Sequence, residues 1–347
     1  MCTDSGDTRG GEKPVKRRAA STSDPLVEVL RKALALGRLP ERFMCGVSGG
    51  IDSCALLNAL AAAGTRPIVV HYDHGWGAAA AEDPEFIRTL AAQYGTEGGL
   101  EFYFDRADPP PEHHREDEAR RARYGFFARL GARLGCPDIV LAHNADDQVE
   151  TLLMQLLRGG GSGAAGIRER SDLVLPEGQL RVHRPWLGVW RREIEAYAAT
   201  HGVVWKEDAT NADPGHLRNK LRHQLIPQLA ELAGPAVKEK LHGFAETRRA
   251  ETDWLDALCA PWAAKQTLSV KELRALPDYA LHRVLWTWLR GRKIPNLKRR
   301  DVENVASMLA SDGPAKVNLP GAAYGRRQAG VVFIERSDGT VRPELGP

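Results

Sequence analysis

A glycine-rich turn between a short apolar strand and a helix is the feature that most constrains this chain. Within the segment 43–57, Ser48, Gly49 and Gly50 occupy the point where the strand gives way to the helix. Glycines let the backbone pass close to a ligand, and the N–H groups at the start of a helix bind anions. Residues 48–53, which we name the glycine turn, are therefore predicted to form a phosphate cradle.

The glycine turn contains a carboxylate, Asp52, and no lysine. It is therefore neither the G-x-x-x-x-G-K-S/T phosphate loop nor the G-x-G-x-x-G dinucleotide fingerprint. A carboxylate and a phosphate repel each other unless a cation lies between them, and Mg²⁺ is the usual cation in such sites. The sequence predicts that Asp52 holds Mg²⁺ beside a bound phosphate.

Strands and helices alternate through the first half of the chain. The apolar runs at 67–72 and 138–142 are typical of strands buried in a parallel sheet, so the pattern predicts a doubly wound, mostly parallel α/β fold. Such sheets bind ligands at the carboxyl ends of their strands, where His71 and His143 occur. We interpret these histidines as nucleotide contacts or packing residues rather than zinc ligands, because no cysteine or further histidine lies at ligand spacing.

Three acidic residues follow His143, namely Asp146, Asp147 and Glu150. Asp147 and Glu150 are three positions apart, so they share a face if the helix begins near Asp146. This spacing favours a catalytic or metal-binding pair. Asp146 could equally serve the helix dipole, since acidic side chains in a first helical turn stabilise it. The sequence does not divide the roles of Asp147 and Glu150.

Several motifs, taken in order, resemble those of one family. The glycine turn is similar to the S-G-G-x-D-S loop of the PP-loop ATP pyrophosphatases, and five further segments resemble the tRNA(Ile)-lysidine synthetases. These segments are E-A-R-R-A-R-Y (118–124), A-H-N-A-D-D-Q-V-E-T (142–151), R-P-W-L (184–187), W-K-E-D-A-T-N (205–211) and L-R-N-K-L-R-H (217–223). One motif departs from the family: its H-x-N-H-G-L-R reads H-Y-D-H-G-W-G at 71–77, so Asp73 replaces asparagine and the arginine is missing.

The resemblance implies an ATP-dependent carbon–nitrogen ligase with an adenine nucleotide alpha hydrolase-like fold. In this family ATP adenylates the C2 carbonyl oxygen of the wobble cytidine of tRNA(Ile), in its CAU anticodon, and the lysine amine then displaces AMP. The implied cofactors and partners are ATP, Mg²⁺, L-lysine and tRNA(Ile). The implied residues are Ser48, Gly49, Gly50, Ile51, Asp52, Ser53, His71 and His143 for the nucleotide and Asp52, Asp147 and Glu150 for catalysis.

A first basic segment, at Arg218, Asn219 and Arg222, is a candidate for phosphate contact with ATP or the tRNA backbone. Guanidinium groups suit this task because they donate two parallel hydrogen bonds to a phosphate. The alternative is a solvated helix face on which the arginines pair with Glu207 or Asp208.

A second basic segment contains Lys298, Arg299 and Arg300 within the run 290–300. Binding of a tRNA phosphate backbone is one use for such a run. A solvated turn is an equal alternative, because no aromatic residues alternate with the charges.

The chain is predicted to have four parts: a disordered polar tail (1–24), an ATP pyrophosphatase domain (25–224), a mainly helical tRNA domain (225–312) and a short C-terminal β segment (313–347). The first helix is predicted at 25–36 with Asp24 as its N-cap, and strands are predicted at 203–205, 316–319 and 330–335. The five cysteines form no C-x-x-C pair, which favours a reducing, cytoplasmic location and argues against a tRNA thiolase. No apolar run approaches membrane-spanning length. A non-catalytic tRNA-binding protein is the alternative from another class, and a homodimer is one open oligomeric state.

Overall fold

The computed structural model describes residues 24–75, 84–94, 99–107, 116–160, 164–206 and 217–336. These residues form two compact units that divide between Glu246 and Thr247. Residues 1–23 of the predicted tail (1–24) lie outside the described residues, as do residues 76–77 and 207–211 of the family motifs, and Asp24 is the N-cap of the first helix. The four-part functional division stays a prediction.

The first unit contains a six-stranded sheet and the helices that cover it. Its helices are α1 (Pro25–Ala35), α2 (Ile51–Ala62), α3 (Pro84–Tyr94), α4 (Glu116–Leu134), α5 (Ala145–Leu157), α6 (Arg191–His201), α7 (Leu217–Lys220), a π-helical turn (Leu221–Leu225) and α8 (Ile226–Ala233). Its strands are β1 (Met44–Gly46), β2 (Ile68–Asp73), β3 (Phe102–Arg106), β4 (Asp138–Val140), β5 (Arg170–Leu175) and β6 (Gly178–His183). Helix α9 (Val237–Ala264) contains the boundary between the units.

The strand order is β3-β2-β1-β4-β6-β5, and every neighbouring pair is parallel except the antiparallel pair β5 and β6. The predicted mostly parallel sheet is confirmed. The strand order reverses between β1 and β4, because the chain moves outward from β1 on one side and from β4 on the other. The loops that follow β1 and β4 therefore border the crevice in which open α/β sheets bind ligands.

Burial on both faces explains why β1 is apolar although it is only three residues long. Cys45 packs into the cluster formed with α1, α2 and α6, whereas Met44 packs with Phe127 of α4 on the opposite face. Successive strand side chains point to opposite faces, so both residues are fully buried. This packing fixes the position at which the glycine turn leaves the sheet.

Two details of the first unit differ from expectation. The hairpin of β5 and β6 was not predicted, because alternating charged residues such as Arg170 and Asp172 hide its strand pattern. The predicted strand at Val203–Trp205 is wrong, since this stretch has no regular structure. The next residue, Lys206, lies beside the glycine turn, and its N–H donates to the Gly49 carbonyl at 2.9 Å.

The second unit builds its own core from helices and an antiparallel sheet in the order β7-β10-β9-β8. Its further elements are β7 (Leu268–Ser269), α10 (Val270–Arg274), α11 (Asp278–Gly291), α12 (Arg299–Ser307), β8 (Lys316–Leu319), β9 (Ala323–Gln328) and β10 (Val331–Arg336). The two predicted strands, at 316–319 and 330–335, correspond to β8 and β10. Among the described residues, no helix is both long and apolar enough to cross a membrane.

Candidate active site

The glycine turn is held in shape by hydrogen bonds between its own residues. The Ser53 hydroxyl accepts a hydrogen bond from the Ser48 N–H at 3.1 Å and donates one to the Gly50 carbonyl at 2.9 Å. Gly49 has φ +97°, a conformation that side chains other than glycine rarely adopt. Gly50 is the N-cap of α2 and has no side chain that could occupy the first-turn N–H groups. With the Ser48 and Gly50 N–H groups engaged inside the turn, the N–H groups at the start of α2 form the anion cradle.

Asp52 lies in the first turn of α2, and its two carboxylate oxygens have different environments. Oδ2 accepts a hydrogen bond of 2.6 Å from the Arg191 guanidinium. Oδ1 is buried and has no hydrogen-bond partner among the described residues. Burial raises the pKa of Asp52 to about 6 and Asp147 adds to the increase, whereas Arg191, Arg222 and the nearby Asn144 side chain oppose it. An orphaned, electron-rich oxygen beside an anion cradle is a suitable cation ligand.

The second polar group, the acidic cluster of Asp146, Asp147 and Glu150, lies at the start of α5 after β4. Asn144 is the N-cap of this helix: its side chain accepts from the Asp147 N–H, and Asp147 Oδ2 accepts from the Asn144 N–H, both at 3.1 Å. This reciprocal pair is a capping box, which satisfies two otherwise unpaired N–H groups. Asp147 thus stabilises the helix start in addition to any chemical role.

Asp146 connects α5 with two other helices. Its Oδ2 accepts from the Arg191 backbone N–H at 2.9 Å, and its Oδ1 forms an ion pair with Lys238 of α9. Both oxygens are therefore engaged in packing contacts. These contacts give Asp146 a structural explanation, the alternative that the sequence left open.

Glu150 is 1% exposed and forms ion pairs with two arginines. Its Oε1 is 2.6 Å from Arg222 Nε, and its Oε2 is 3.1 Å from Arg218 Nε. Arg222 also approaches Asp147 Oδ1 at 3.8 Å, so Asp147 and Glu150 face the same side chain. Burial raises the pKa of Glu150, Asp147 raises it further, and the two arginines oppose the shift. The arginines thus lie beside the acidic cluster and not on a separate solvated face.

The two candidate histidines occupy different environments. His71 is 1% exposed, its Nδ1 is 2.8 Å from the Val47 carbonyl, and its ring stacks on Phe104. His143 Nδ1 is buried and has no partner among the described residues. Burial lowers the pKa of His143, and the positive charges of Arg184 and three other arginines lower it further, so the ring is neutral at pH 7. His143 can therefore offer a ring nitrogen to a ligand.

Asp73, at which the motif beginning at His71 differs from the family pattern, lies at the end of β2 and is held by neighbouring residues. Asp73 Oδ2 accepts a hydrogen bond of 2.5 Å from Arg106 of β3, and Oδ1 accepts one of 2.7 Å from the Gly75 N–H. The carboxylate that replaces the family's asparagine is therefore paired with an arginine from the neighbouring strand. His74 follows, and burial lowers its pKa to about 4.

The second basic segment belongs to the second unit, at the start of α12. Arg299 and Arg300 are 91% and 77% exposed, and Arg299 pairs with Glu303 at 2.8 Å. Lys298 is exposed as well, and its backbone N–H is capped by Asp301. Asn219 of the first basic segment lies half-buried between Arg218 and Lys220. The three residues at the start of α12 are thus accessible to a large polyanion.

Sequence reasoning missed Arg191, which contacts Asp52 through its side chain and Asp146 through its backbone. One signal was available: Arg191 and Arg192 begin α6, and cations are unfavourable at a helix N-terminus. Such a pair predicts acidic partners from elsewhere in the fold. Which acids they are depends on tertiary structure.

Two family models match this chain. The model described as the PP-loop domain matches residues 24–229, and the model described as the TilS substrate binding domain matches residues 268–337. A tRNA(Ile)-lysidine synthase from Solibacter usitatus is 41% identical over 67% of this chain and 50% of that protein. A tRNA(Ile)-lysidine synthase from Ralstonia nicotianae is 35% identical over 87% of this chain and 65% of that protein. The chain spans about half to two thirds of the length of these relatives.

A solved structure with a related fold is that of a U34-tRNA thiolase from Methanococcus maripaludis. It has a TM-score of 0.51 and 14% sequence identity, over 65% of this chain and 79% of that one. Identity this low supports the fold alone. Since the PP-loop model matches more than half of the sequence, the chain belongs to the PP-loop family, in the group of the tRNA(Ile)-lysidine synthases.

Proposed function

We propose that the chain ligates lysine to the C2 position of the wobble cytidine of tRNA(Ile), using ATP and releasing AMP and pyrophosphate. The observation that carries the proposal is the meeting of two polar groups at the strand-order reversal: the glycine turn after β1 and the acidic cluster after β4. Adenylation needs a pyrophosphate site, and amine transfer needs a carboxylate nearby. The similarity to lysidine synthases supports the substrate assignment.

The glycine turn is assigned to the β and γ phosphates of ATP. Negative charge develops there as pyrophosphate leaves, and preorganised amides stabilise such charge without rearranging. Ser48, Gly49, Gly50, Ile51 and Ser53 contribute the backbone and hydroxyl groups of this cradle. His143, neutral and with a buried unpartnered nitrogen, is assigned to the nucleotide. His71 supports the loop through its contact with the Val47 carbonyl.

Asp52 fits a magnesium ligand, because its Oδ1 is buried without a partner and carboxylate oxygens are the ligands that Mg²⁺ prefers. When bound, Mg²⁺ neutralises charge on the leaving pyrophosphate. The chain's own contribution is to hold Asp52 in one orientation and to limit access of water to it. The metal itself stays a proposal.

Asp147 and Glu150 receive different roles. Glu150 has one arginine against each carboxylate oxygen, so we assign it to holding Arg218 and Arg222 in place. Asp147 Oδ1 is 3.8 Å from Arg222, beyond hydrogen-bond distance. An incoming amine needs an oxygen that is not already taken, so Asp147 is assigned to bind the lysine amine and accept its proton.

The thiolase alternative is not favoured by the described cysteines. Thiol chemistry requires the thiolate, yet burial raises the pKa of both Cys45 and Cys54 to about 12. Cys136 and Cys259 are buried as well, and burial raises the pKa of each. These four cysteines are therefore protonated at neutral pH.

The tRNA is assigned to both basic segments. Lys298, Arg299 and Arg300 would bind phosphates as exposed cations, and Arg218, Asn219 and Arg222 would bind near the acidic cluster. Reversing the three charges at the start of α12 should flatten the dependence of tRNA affinity on salt concentration. Homodimer formation and a cytoplasmic location belong to the same proposal, and light scattering of the purified protein tests the first.

The direct test is incorporation of radiolabelled lysine into a tRNA(Ile) transcript with a CAU anticodon, in the presence of ATP. AMP and pyrophosphate should form in equal amounts, and both should require the tRNA. Incorporation should disappear when the wobble cytidine is replaced by uridine. If AMP forms without transfer of lysine, the amine acceptor has been assigned wrongly; if no AMP forms, the ligase assignment itself fails.

A further inference from the structure

We propose that Arg191 is a positioning residue for Asp52: it occupies one carboxylate oxygen and thereby directs the other toward the cation that accompanies the nucleotide. This inference rests on the proposed function, because it concerns the same nucleotide site. It adds a residue that lies outside the glycine turn and the acidic cluster. The family motifs quoted above do not include it.

The two oxygens of the Asp52 carboxylate are held differently. Arg191 donates to Oδ2 at 2.6 Å, whereas Oδ1 is buried without a partner among the described residues. A carboxylate rotates freely between equivalent oxygens unless one of them is fixed. Because Arg191 fixes Oδ2, the orphaned Oδ1 keeps one direction and can meet a cation without a reorientation cost.

Arg191 is itself held by two further contacts. Its backbone N–H donates to Asp146 Oδ2 at 2.9 Å, and its Nε pairs with Glu195 Oε1 at 3.1 Å, one helical turn further along α6. Asp146 is in turn paired with Lys238. Two ion pairs, Lys238 with Asp146 and Arg191 with Asp52, are thus connected through the Arg191 backbone N–H.

An arginine suits position 191 better than a lysine would. Arg191 is 36% exposed, and its guanidinium can serve Glu195 through Nε and Asp52 through a terminal nitrogen at once. Lysine has one nitrogen on a flexible stem and cannot hold both acids in a fixed plane. Arg191→Lys should therefore preserve the charge but loosen the orientation of Asp52.

The test measures binding of an ATP analogue that has a methylene bridge between its α and β phosphates, by calorimetry at graded Mg²⁺ concentrations. Arg191→Met should raise the Mg²⁺ concentration for half-maximal binding by about 10-fold or more, as is typical when the partner of a metal ligand is lost. Arg191→Lys should lie between wild type and Arg191→Met. Binding measured in EDTA should change little, because the glycine turn is intact.

Two further variants sharpen the result. Glu195→Gln removes only the brace of Arg191 and should shift the Mg²⁺ requirement in the same direction by a smaller factor. Arg192→Met is the matched control: Arg192 is the next residue of α6, is 70% exposed and pairs with Glu239. It should leave the Mg²⁺ requirement unchanged. Circular dichroism checks that each variant is folded, and Glu195→Gln, at an exposed position, keeps the test decisive if Arg191→Met unfolds.

The outcomes separate this inference from the proposed function. If the wild-type protein does not bind the analogue with Mg²⁺, the proposed function fails. If wild type binds and both Arg191→Met and Glu195→Gln require the same Mg²⁺ concentration as wild type, the positioning role is overturned. An equal loss of affinity for Arg191→Met with Mg²⁺ and in EDTA also overturns it, because Arg191 would then contact the phosphates directly.

Discussion

The glycine turn and the acidic cluster lie at neighbouring strand ends but are stabilised in different ways. The hydrogen bonds between residues of the glycine turn span at most five positions, and its long-range bonds to Lys206 and Arg191 are added to that local frame. The ion pairs that hold the acidic cluster join Asp146 and Glu150 to residues 68 to 92 positions away. The first geometry can therefore form locally, whereas the second exists only once the unit has folded. This difference separates what is built into a motif from what tertiary structure supplies.

The largest expected effect is a loss of activity, which tests the role of the glycine turn in catalysis. Asp52→Asn keeps the shape of the glycine turn but removes the charge that a cation needs. We expect AMP formation to fall by about 1000-fold or more, equivalent to ~4 kcal/mol of transition-state stabilisation. Binding of tRNA should persist, as a filter-binding measurement can show. An active Asp52→Asn variant would remove this carboxylate from the mechanism.

The same substitution should stabilise the ligand-free protein. The pKa of Asp52 is raised to about 6 in the fold, so the folded state binds this proton more tightly than the unfolded chain, whose pKa is near 3.8. The ionised carboxylate therefore costs stability at neutral pH, and this cost disappears as the pH falls through 6 toward 4. Asp52→Asn should be more stable than wild type by about 3 kcal/mol at pH 7.5 and by about 1 kcal/mol at pH 4.5, and the two proteins should become equal below the unfolded pKa of 3.8.

Urea denaturation in EDTA at several pH values measures this difference, and titration of other groups cancels between the two proteins. A gain that does not vary with pH would point to a packing effect rather than to the charge. If Asp52→Asn is more stable at neutral pH, the Asp52 charge lowers stability at a functional position, whereas the ion pairs of the acidic cluster stabilise the fold.

A loss of stability is expected in the acidic cluster when an arginine is removed. Arg222→Met leaves the Glu150 carboxylate, which is 1% exposed, with one of its two guanidinium partners. Arg222 is about one-third exposed, so water screens part of the loss, and we expect the free energy of unfolding to fall by about 1–2 kcal/mol. The control Arg299→Met removes an exposed guanidinium from Glu303 and should change stability by less than about 0.5 kcal/mol. Equal changes in the free energy of unfolding for the two variants would contradict the difference between the buried and the exposed ion pair.

The smallest effect concerns the backbone of the glycine turn. Gly49→Ala places a side chain at φ +97° and should cost about 1 kcal/mol in thermal or urea unfolding. Gly50→Ala is the matched control, since Gly50 has φ −73° and an added Cβ would meet the Ser48 hydroxyl only at 3.7 Å. If both substitutions cost the same, backbone conformation is not what makes Gly49 necessary.

The sequence predicted those parts of the molecule whose geometry is local. The glycine turn, the cap of α1 by Asp24 and the alternation of buried strands with helices all follow from residues close together in the chain. Asp147 and Glu150 were predicted to share a face, and both approach Arg222. These features arise from helix periodicity and backbone freedom, which a sequence displays directly.

The remaining parts depend on contacts that no local pattern encodes. Arg191 meets Asp52 across 139 positions, and the capping role of Asp147 competes with a purely chemical interpretation of the same carboxylate. Strand β5 was missed because only one face of it is partly covered, so its charged residues lack the signature of a buried strand. Long-range ion pairs and edge strands thus mark the limit of inference from sequence.

The antiparallel edge of the first unit has a consequence for solution behaviour. A two-residue connection joins β5 to β6, whereas a parallel neighbour would need a crossover of a dozen or more residues. The outermost strand carries Arg170 and Asp172, which pair with each other and are both exposed. A border of paired charges discourages the addition of a strand from another molecule. We therefore expect concentrated samples to resist sheet-to-sheet association at this border, and neutralising both charges to increase light scattering on storage.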